Sequence, residues 1–335
     1  MKRKAMLIVL SGLISIGIPF TSSWGLTTLK VGALKLSSTA PVFIGMDKGF
    51  FESEGIKLEP VWFKAAQPIA VATATGDIDV GATGLTAGLY NAIGQGMKIA
   101  IVADKGREWP GYKLTALLVN TEQWKAGVRD LKDLKGKRVG ITQIGSTFHY
   151  ILGNLLEKKG MMLDEVKVVP LGSISSMRDT LISNQIESVF LNQPLVAAVE
   201  KSGTGNAILW VGDHLPYQIA AIFYGEKLIK DRPSAISFMK GYIRSCRYYY
   251  DHALIKKEGS TYQEILDLIS KYTEEKTDAI ALALPYNDRN GELLTEDIQK
   301  QLDWYFKNGM VSKKMSGSEM VDLSFWKEAL QQLGK

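Results

Sequence analysis

Length, composition and charge exclude several classes of protein. The chain has 335 residues, 46% of them hydrophobic, which is enough for one large or two medium domains with packed cores. The net charge of +5 falls to +2 without Lys2, Arg3 and Lys4, which is too little to indicate a nucleic-acid partner. One cysteine cannot form an internal disulfide, and with three histidines it leaves little material for a metal site. We therefore predict no metal ion and no cofactor.

The N-terminal segment up to Gly25 has the pattern of an export signal. The basic start is followed by an apolar stretch from Ala5 to Phe20 and by small residues around Trp24, where a signal peptidase would cut. A membrane anchor is the alternative, but the stretch is short against the roughly 20 residues of a spanning helix, and it contains Pro19. We predict cleavage after Gly25 and a periplasmic location.

Strands and helices alternate in two series after residue 26. The first series has predicted strands at 29–34, 56–63, 78–83 and 98–103, and predicted helices at 41–54, 66–75 and 86–95. The second has predicted strands at 137–142, 166–169, 186–191 and 207–211, and predicted helices at 147–159, 176–183 and 194–201. This alternation predicts an α/β fold, with parallel sheets joined by helical crossovers.

The two series align at one constant offset, the separation of Val31 from Val139. This repeat offset relates Val31–Gly32 to Val139–Gly140, Ser38–Thr39 to Ser146–Thr147, and 76–79 to 184–187. Any α/β protein repeats its pattern loosely, so chance is the alternative explanation. Three separate landmarks at one offset favour two similar lobes.

Small, hydroxyl-bearing or amide residues lie at the ends of four of the predicted strands. In an open parallel sheet, ligands bind beyond the carboxyl ends of the strands. The segments that reach this edge are Ser37, Ser38 and Thr39; Thr83, Gly84 and Thr86; Gly145, Ser146 and Thr147; and Asn192 and Gln193. Each precedes a helix, whose free N–H groups and partial positive charge suit an anion. Ordinary helix capping is the alternative for each segment.

Other polar residues have a binding and a structural interpretation. His149 lies in the first turn after Thr147 and can face a ligand or pack inside the protein. The amides of Asn192 and Gln193 follow an apolar run and need a partner, either a ligand or a backbone group.

A charged and aromatic segment follows the last strand of the first series. Its residues Lys105, Arg107, Trp109 and Tyr112 can line the mouth of a cleft or belong to a solvated loop, and we favour the loop.

Three runs of sequence resemble a known family. The runs "APVFIGMDKGFFESEGIKLE", "ATGDIDVGATGLTA" and "DLKGKRVGITQIGSTFHYILGNLLEKKG" are similar to solute-binding proteins of ABC transporters in the nitrate, sulfonate and taurine branch, the NMT1/THI5-like group. The resemblance covers about residues 27 to 250. It implies a two-lobed periplasmic-binding-protein clamshell of type II, in which each lobe is a mostly parallel sheet flanked by helices.

The resemblance also implies a domain plan and a function. Residues 26–112 plus 218–335 would form lobe I, residues 113–217 lobe II, and the crossovers near 103–113 and 213–218 the hinge. The chain would be a monomeric receptor, not an enzyme, that delivers a small organic anion to a membrane permease with a cytoplasmic ATPase.

Three alternatives stay open beside this receptor. They are a binding protein for a pyrimidine precursor, an enzyme of thiamine or menaquinone biosynthesis from the same superfamily, and a sensory domain. The cysteine-rich motif of the eukaryotic pyrimidine synthases is missing, and no catalytic constellation accompanies the export signal, which argues against the enzyme.

Overall fold

The computed structural model describes residues 25–282 and 284–334. The predicted export signal lies outside this part of the chain, except for its last residue. Across the described residues, no helix combines the length and the apolar character needed to cross a membrane.

Ten strands form two sheets. Their bounds are β1 (Thr27–Leu34), β2 (Ile56–Phe63), β3 (Val80–Gly84), β4 (Ile99–Glu108), β5 (Thr115–Asn120), β6 (Arg138–Ile141), β7 (Lys167–Pro170), β8 (Ser188–Asn192), β9 (Gly205–Trp210) and β10 (Tyr217–Gly225). Sheet A has the order β2-β1-β3-β10-β4, and sheet B has the order β7-β6-β8-β5-β9. In each sheet the first three strands are parallel, and the fourth runs antiparallel to both of its neighbours.

Helices flank both sheets and dominate the C-terminal third. The α-helices are α1 (Ala40–Asp47), α2 (Ala66–Thr75), α3 (Ala87–Gly94), α4 (Thr121–Lys125), α5 (Thr147–Lys158), α6 (Ile174–Ile182), α7 (Leu195–Lys201), α8 (Val211–His214), α9 (Glu226–Lys230), α10 (Arg232–Tyr249), α11 (Gly259–Thr273), α12 (Thr277–Ala281), α13 (Thr295–Lys307) and α14 (Ser324–Leu333). A π-helix, Tyr250–Lys256, continues α10. Short 3-10 helices occur at Ser37–Thr39, Glu52–Glu54, Leu131–Leu134, Leu163–Glu165 and Gly317–Glu319.

The predicted α/β class with two mostly parallel, helix-flanked sheets is confirmed. Shifted by the repeat offset, β3 coincides with β8 at both ends, β1 overlaps β6, and β2 overlaps β7. It also relates α2 to α6 almost residue for residue. The antiparallel fourth strand breaks the repeat, because sheet A receives it from residues 217–225 and sheet B from residues 115–120.

The chain passes between the sheets twice, at 109–114 and at 211–216. These segments overlap the predicted crossovers near 103–113 and 213–218, although 103–108 belong to β4 and 217–218 to β10. The lobe boundaries themselves stay a prediction.

Two predicted elements differ from the structure by five or more residues at one end, the first for a local reason and the second because of a distant segment. The helix predicted at 41–54 ends at Asp47, because Gly49 adopts a φ of 67° and Glu52–Glu54 forms a separate 3-10 turn. The strand predicted at 98–103 continues to Glu108, because β10 pairs with β4 along its whole length, from Gly225 opposite Ile99 to Tyr217 opposite Glu108.

Candidate ligand-binding cleft

A cavity lies where the carboxyl ends of strands from both sheets approach each other. Leu34, Thr83 and Gly84 reach it from sheet A, and Asn192 reaches it from sheet B. Its full lining is Leu34, Leu36, Ser38, Ala65, Ala66, Thr83, Gly84, Lys105, Gly106, Leu114, Thr142, Thr147, Phe148, Ile174, Asn192, Ile219 and Ala220. The cavity is about 50 Å³ in volume, and a single water needs roughly 10–15 Å³ on the same measure. The space in this structure therefore suits a small polar group and little more.

The loops on either side of the cavity touch each other. The backbone N–H of Ala87, after β3, donates to the carbonyl of Gly145, after β6, over 2.9 Å. A Cβ atom added to Gly84 would lie 2.6 Å from Cγ2 of Thr147, and one added to Gly145 would lie 2.8 Å from Cβ of Ala87. Glycine at these two positions lets the strand ends approach closely, so the structure is a closed arrangement of the two sheets.

The ammonium group of Lys105 is the positive charge of the cavity. Lys105 is only 3% exposed, and its Nζ donates to Oγ of Ser38 over 3.1 Å. Among the described residues, no carboxylate forms an ion pair with this nitrogen. The nearby carboxylate of Asp104 accepts instead from the backbone N–H groups of Gly106 and Asp288. Burial lowers the pKa of Lys105 to about 7, and the negative charge of Asp104 opposes this shift only in part.

Neutral hydrogen-bonding groups surround this charge. Oγ1 of Thr83 is buried and has no hydrogen-bond partner among the described residues. Thr147, the first residue of α5, and Thr142, just after β6, bring two more hydroxyl groups from the side of sheet B. Nδ2 of Asn192 donates to Oγ1 of Thr115 over 2.7 Å, which fixes the orientation of the amide. Together these groups can hold the oxygens of an anion against the Lys105 ammonium.

Five of the twelve predicted site residues line the cavity: Ser38, Thr83, Gly84, Thr147 and Asn192. Two others serve as helix caps, which was the structural alternative. The hydroxyl of Thr86 accepts from the N–H of Leu89 over 3.2 Å, and the hydroxyl of Ser146 accepts from the N–H of His149 over 3.4 Å. Gly145 borders the cleft as the contact of Ala87.

Three more predicted residues lie outside the lining, and two of them make hydrogen bonds within the protein. Thr39 is fully buried and donates to the carbonyl of Leu34 over 2.8 Å. The amide oxygen of Gln193 accepts from the N–H of Ala197 over 3.2 Å, which turns it toward α7. Ser37 is buried, and its hydroxyl has no partner among the described residues.

His149 is buried beside the cleft, away from the cavity lining. Its Nδ1 accepts from the N–H of Gly145 over 3.2 Å, so the ring proton lies on Nε2, which has no partner among the described residues. Burial lowers the pKa of His149 to about 4, so the imidazole is neutral at pH 7. It contacts Trp304 edge to face, with ring centroids 6.0 Å apart.

The solvated-loop interpretation is wrong for Lys105 and Arg107, which are buried in β4. Trp109 and Tyr112 follow the strand, are half-buried and pack against Tyr286, outside the cavity lining. A signal for the longer strand exists in the sequence. The run "YQIAAIFYG" at 217–225 has the composition of a buried strand, and it pairs with β4 up to Glu108.

Sequence reasoning also missed the apolar wall of the cavity. Its members come from loops and strand ends of both halves: Leu34, Leu36, Leu114, Phe148, Ile174 and Ile219. No local pattern separates these residues from ordinary core residues. Four of them lie in or beside predicted elements, whereas Leu114 precedes β5 and Ile219 lies in β10, two strands that the sequence analysis did not predict. Their role follows only from the distance between the two sheets.

Comparison with known proteins gives a consistent family signal. The sequence profile of the NMT1-like family matches residues 24–259. A curated relative, the putative aliphatic sulfonates-binding protein of Bacillus subtilis (strain 168), is 24% identical over 308 residues, which cover 88% of this chain and 86% of that protein.

Solved structures show the same fold at lower identity. The alkanesulfonate-binding protein SsuA from Xanthomonas axonopodis pv. citri, bound to MOPS, superposes with a TM-score of 0.72 at 18% identity, over 89% of this chain and 99% of that one. The desulfurization enzyme DszB superposes with a TM-score of 0.67 at 12% identity, over 92% of this chain and 100% of that one. The clamshell fold predicted from the sequence is therefore confirmed, and the fold alone does not separate receptors from enzymes.

Proposed function

The chain belongs to the NMT1-like family, and from this we propose that it is an exported receptor that captures a small organic anion between its two sheets. The receptor would work as a monomer in the periplasm and pass its solute to the permease of an ABC importer, driven by a cytoplasmic ATPase. The sulfonate-binding relative and the binding-protein fold support this class of function.

The single observation that supports an anionic ligand is the ammonium group of Lys105, which forms no ion pair among the described residues. A buried charge is costly unless it is paired, and Lys105 has only the hydroxyl of Ser38 as a partner among the described residues. An anionic ligand would supply the missing charge and would also accept from Thr83, whose hydroxyl has no other partner in the same part of the chain. One cation favours a ligand head with a single negative charge, such as a sulfonate or a carboxylate.

The apolar wall supports an organic body behind the charged head. Leu36, Leu114 and Ile174 would contact such a body, and each Å² of the ligand's apolar surface that they remove from water would stabilise the complex by about 25 cal/mol. Nitrate would engage the polar groups and leave this wall unused. A neutral pyrimidine precursor would leave the ammonium unpaired. Both would therefore use fewer of the lining groups than an organic sulfonate, whose body would require the two sheets to lie further apart than in this closed structure.

The enzyme alternative finds no cysteine, histidine or carboxylate among the described residues of the cavity lining, where Lys105 is the one titratable side chain. The only cysteine, Cys246, is buried among Tyr242 and Asn287 and is not part of the lining. Burial raises the pKa of its thiol well above the ordinary value, which disfavours the nucleophilic thiolate. We therefore propose that the chain releases its ligand unchanged.

A thermal-shift screen tests this function. The panel contains butanesulfonate, taurine, benzoate, nitrate and a neutral aminopyrimidine. A ligand at about 100 times its dissociation constant should add roughly 2.7 kcal/mol to the free energy of unfolding, and we expect this for an organic sulfonate or carboxylate. Stabilisation by the aminopyrimidine alone would contradict the anion proposal, and conversion of the bound ligand into a product would contradict the receptor proposal. Mass spectrometry of the exported protein, expected to begin at Leu26, tests the location.

A further inference from the structure

Helix α13 makes an aromatic contact between the two halves of the molecule, outside the cleft. Trp304 is 6% exposed and lies against α5, the helix that brings Thr147 to the cavity. A Cβ atom added to Gly153 would overlap the indole ring of Trp304 at Cζ2. Only glycine leaves room for the indole ring at this point of α5.

Helix α13 is fastened to the side of sheet A. The hydroxyl of Tyr90, in α3, donates to the amide oxygen of Gln301 over 3.2 Å. Nε2 of Gln301 in turn donates to the carbonyl of Gln218, in β10, over 2.7 Å, and the N–H of Gln218 donates to the carboxylate of Asp297 over 2.9 Å. Helix α13, and Trp304 with it, is therefore attached to sheet A, although the side chain of Trp304 packs against α5 on the side of sheet B.

Helix α5 connects this contact to the ligand site. Thr147 is its first residue, and Gly153 follows six residues later, about 9 Å along the axis at roughly 1.5 Å per residue. Because a helix moves as a rigid element, a separation of the two sheets that withdraws Thr147 from the cavity would also move Gly153 relative to Trp304. The hydroxyl of Tyr305 adds a bond across the same interface, to the carbonyl of Ser146 over 3.1 Å.

The interface also contains features that weaken it. Glycine is unfavourable in a helix interior, so Gly153 lowers the stability of α5 in exchange for the fit of Trp304. The ring N–H groups of His149 and Trp304 are both buried without a partner among the described residues. Buried donors without partners destabilise the closed arrangement, which favours a contact that forms and breaks.

We propose that the seating of Trp304 on Gly153 sets the balance between the closed and open arrangements of the two sheets. This contact would thereby set the affinity of the cleft, a consequence that rests on the function proposed above. Trp304 and Gly153 are positioning residues, because neither lines the cavity.

The test follows the opening of the protein directly and without ligand. Spin labels are attached at Val71→Cys in α2 and Asp179→Cys in α6, two exposed positions on helices whose first turns face the cleft. The native Cys246 is buried and is not expected to react. Gly153→Ala should shift the label-to-label distances toward longer values, because its Cβ atom displaces Trp304. Identical distance distributions in the parent and in Gly153→Ala would overturn the proposal.

Two further variants separate the contact from general effects on α5. Asn154→Ala also improves the helix propensity of α5, but the side chain of Asn154 donates to the carbonyl of Tyr150 in its own helix, so the distances should stay unchanged. Trp304→Leu should open the protein, and the double variant Gly153→Ala/Trp304→Leu should open it no further than either single change, since both remove one contact. Additive effects would show that the two residues act independently and would also overturn the proposal.

Binding of butanesulfonate supplies the second measurement. Overpacking at Gly153 should weaken its affinity about 5- to 150-fold, while thermal unfolding of the variant shows an intact fold. If the labels report opening but the parent protein does not bind butanesulfonate, the proposed ligand class is wrong and the role of Trp304 stands. If Gly153→Ala binds as tightly as the parent, the contact does not set the affinity.

Discussion

The two sheets have the same strand order and yet contribute different chemistry to the cleft. At the repeat offset that relates Val31 to Val139, Leu34 corresponds to Thr142 and Gly84 corresponds to Asn192. Lys105, which supplies the charge, corresponds to Asp213, outside the cavity lining. Sheet A therefore contributes the cation, and sheet B contributes mainly neutral hydroxyl and amide groups. The repeat fixes where strand ends meet, whereas the individual side chains decide what each end can bind.

The largest expected effect comes from removing the charge on the side of sheet A. Lys105→Met keeps a similar volume and should weaken binding of an organic sulfonate between about 30- and 3000-fold, the range for loss of one partner of a buried charge pair. The free energy of unfolding at pH 7 should rise, because the buried ammonium no longer loses its hydration.

Titration calorimetry and urea unfolding of the same variant check both parts. An affinity equal to that of the parent would show that Lys105 does not contact the ligand. The main argument for an anionic ligand would then be lost. A loss of affinity with an equal loss of folding stability would instead indicate a structural role for Lys105.

The next prediction distinguishes Thr147 from Thr39, which occupy equivalent positions at the repeat offset. Thr147→Val should weaken binding roughly 10- to 150-fold, because a hydrogen bond to a charged group contributes about 1.5–3 kcal/mol. Thr39→Val should leave affinity unchanged, because its hydroxyl donates to the carbonyl of Leu34. It should instead lower the free energy of unfolding by about 0.5–1.5 kcal/mol, the usual net contribution of one hydrogen bond, since the Leu34 carbonyl keeps the N–H of Leu36 as its other donor. Equal losses of affinity in both variants would mean that both hydroxyl groups contact the ligand, which would contradict the structure.

A smaller effect follows from the titration of Lys105. Burial lowers its pKa to about 7, and a bound anion would raise this pKa. Affinity should thus be constant below pH 7, where the free amine is already protonated, and should fall about tenfold per pH unit above 7, where binding requires uptake of a proton. Calorimetry at pH 6 and pH 8 in buffers of different ionisation enthalpy measures both the affinity and the proton uptake. The pH dependence should vanish in Lys105→Met, and its persistence there would point to another titrating group.

The smallest expected effect on binding concerns neighbours at the end of β8. Asn192 lines the cavity, whereas the amide of Gln193 accepts from the N–H of Ala197. Gln193→Met should therefore change affinity less than about twofold and lower folding stability by about 1 kcal/mol. A large loss of affinity would mean that Gln193 reaches the ligand when the protein moves.

Local patterns in the sequence were enough to predict much of the fold. The β2 strand and α2 helix match their predicted bounds, because an alternating run and a run that ends at Gly76 each specify one structure. The cleft positions of Thr83, Asn192 and Thr147, the first residue of α5, could also be predicted, because parallel strands of one sheet present their carboxyl ends and the segments that follow them on one edge.

Only the tertiary structure decided which of these residues face the ligand. Thr39 and Thr147 have the same local sequence setting, yet one hydroxyl turns to its own backbone and the other lines the cavity. Lys105 became a site residue because β10, far later in the sequence, extends β4 and buries the lysine. Burial and pairing between distant segments carry no local signature, so the sequence determined the layout of the two sheets and the folded chain determined the chemistry between them.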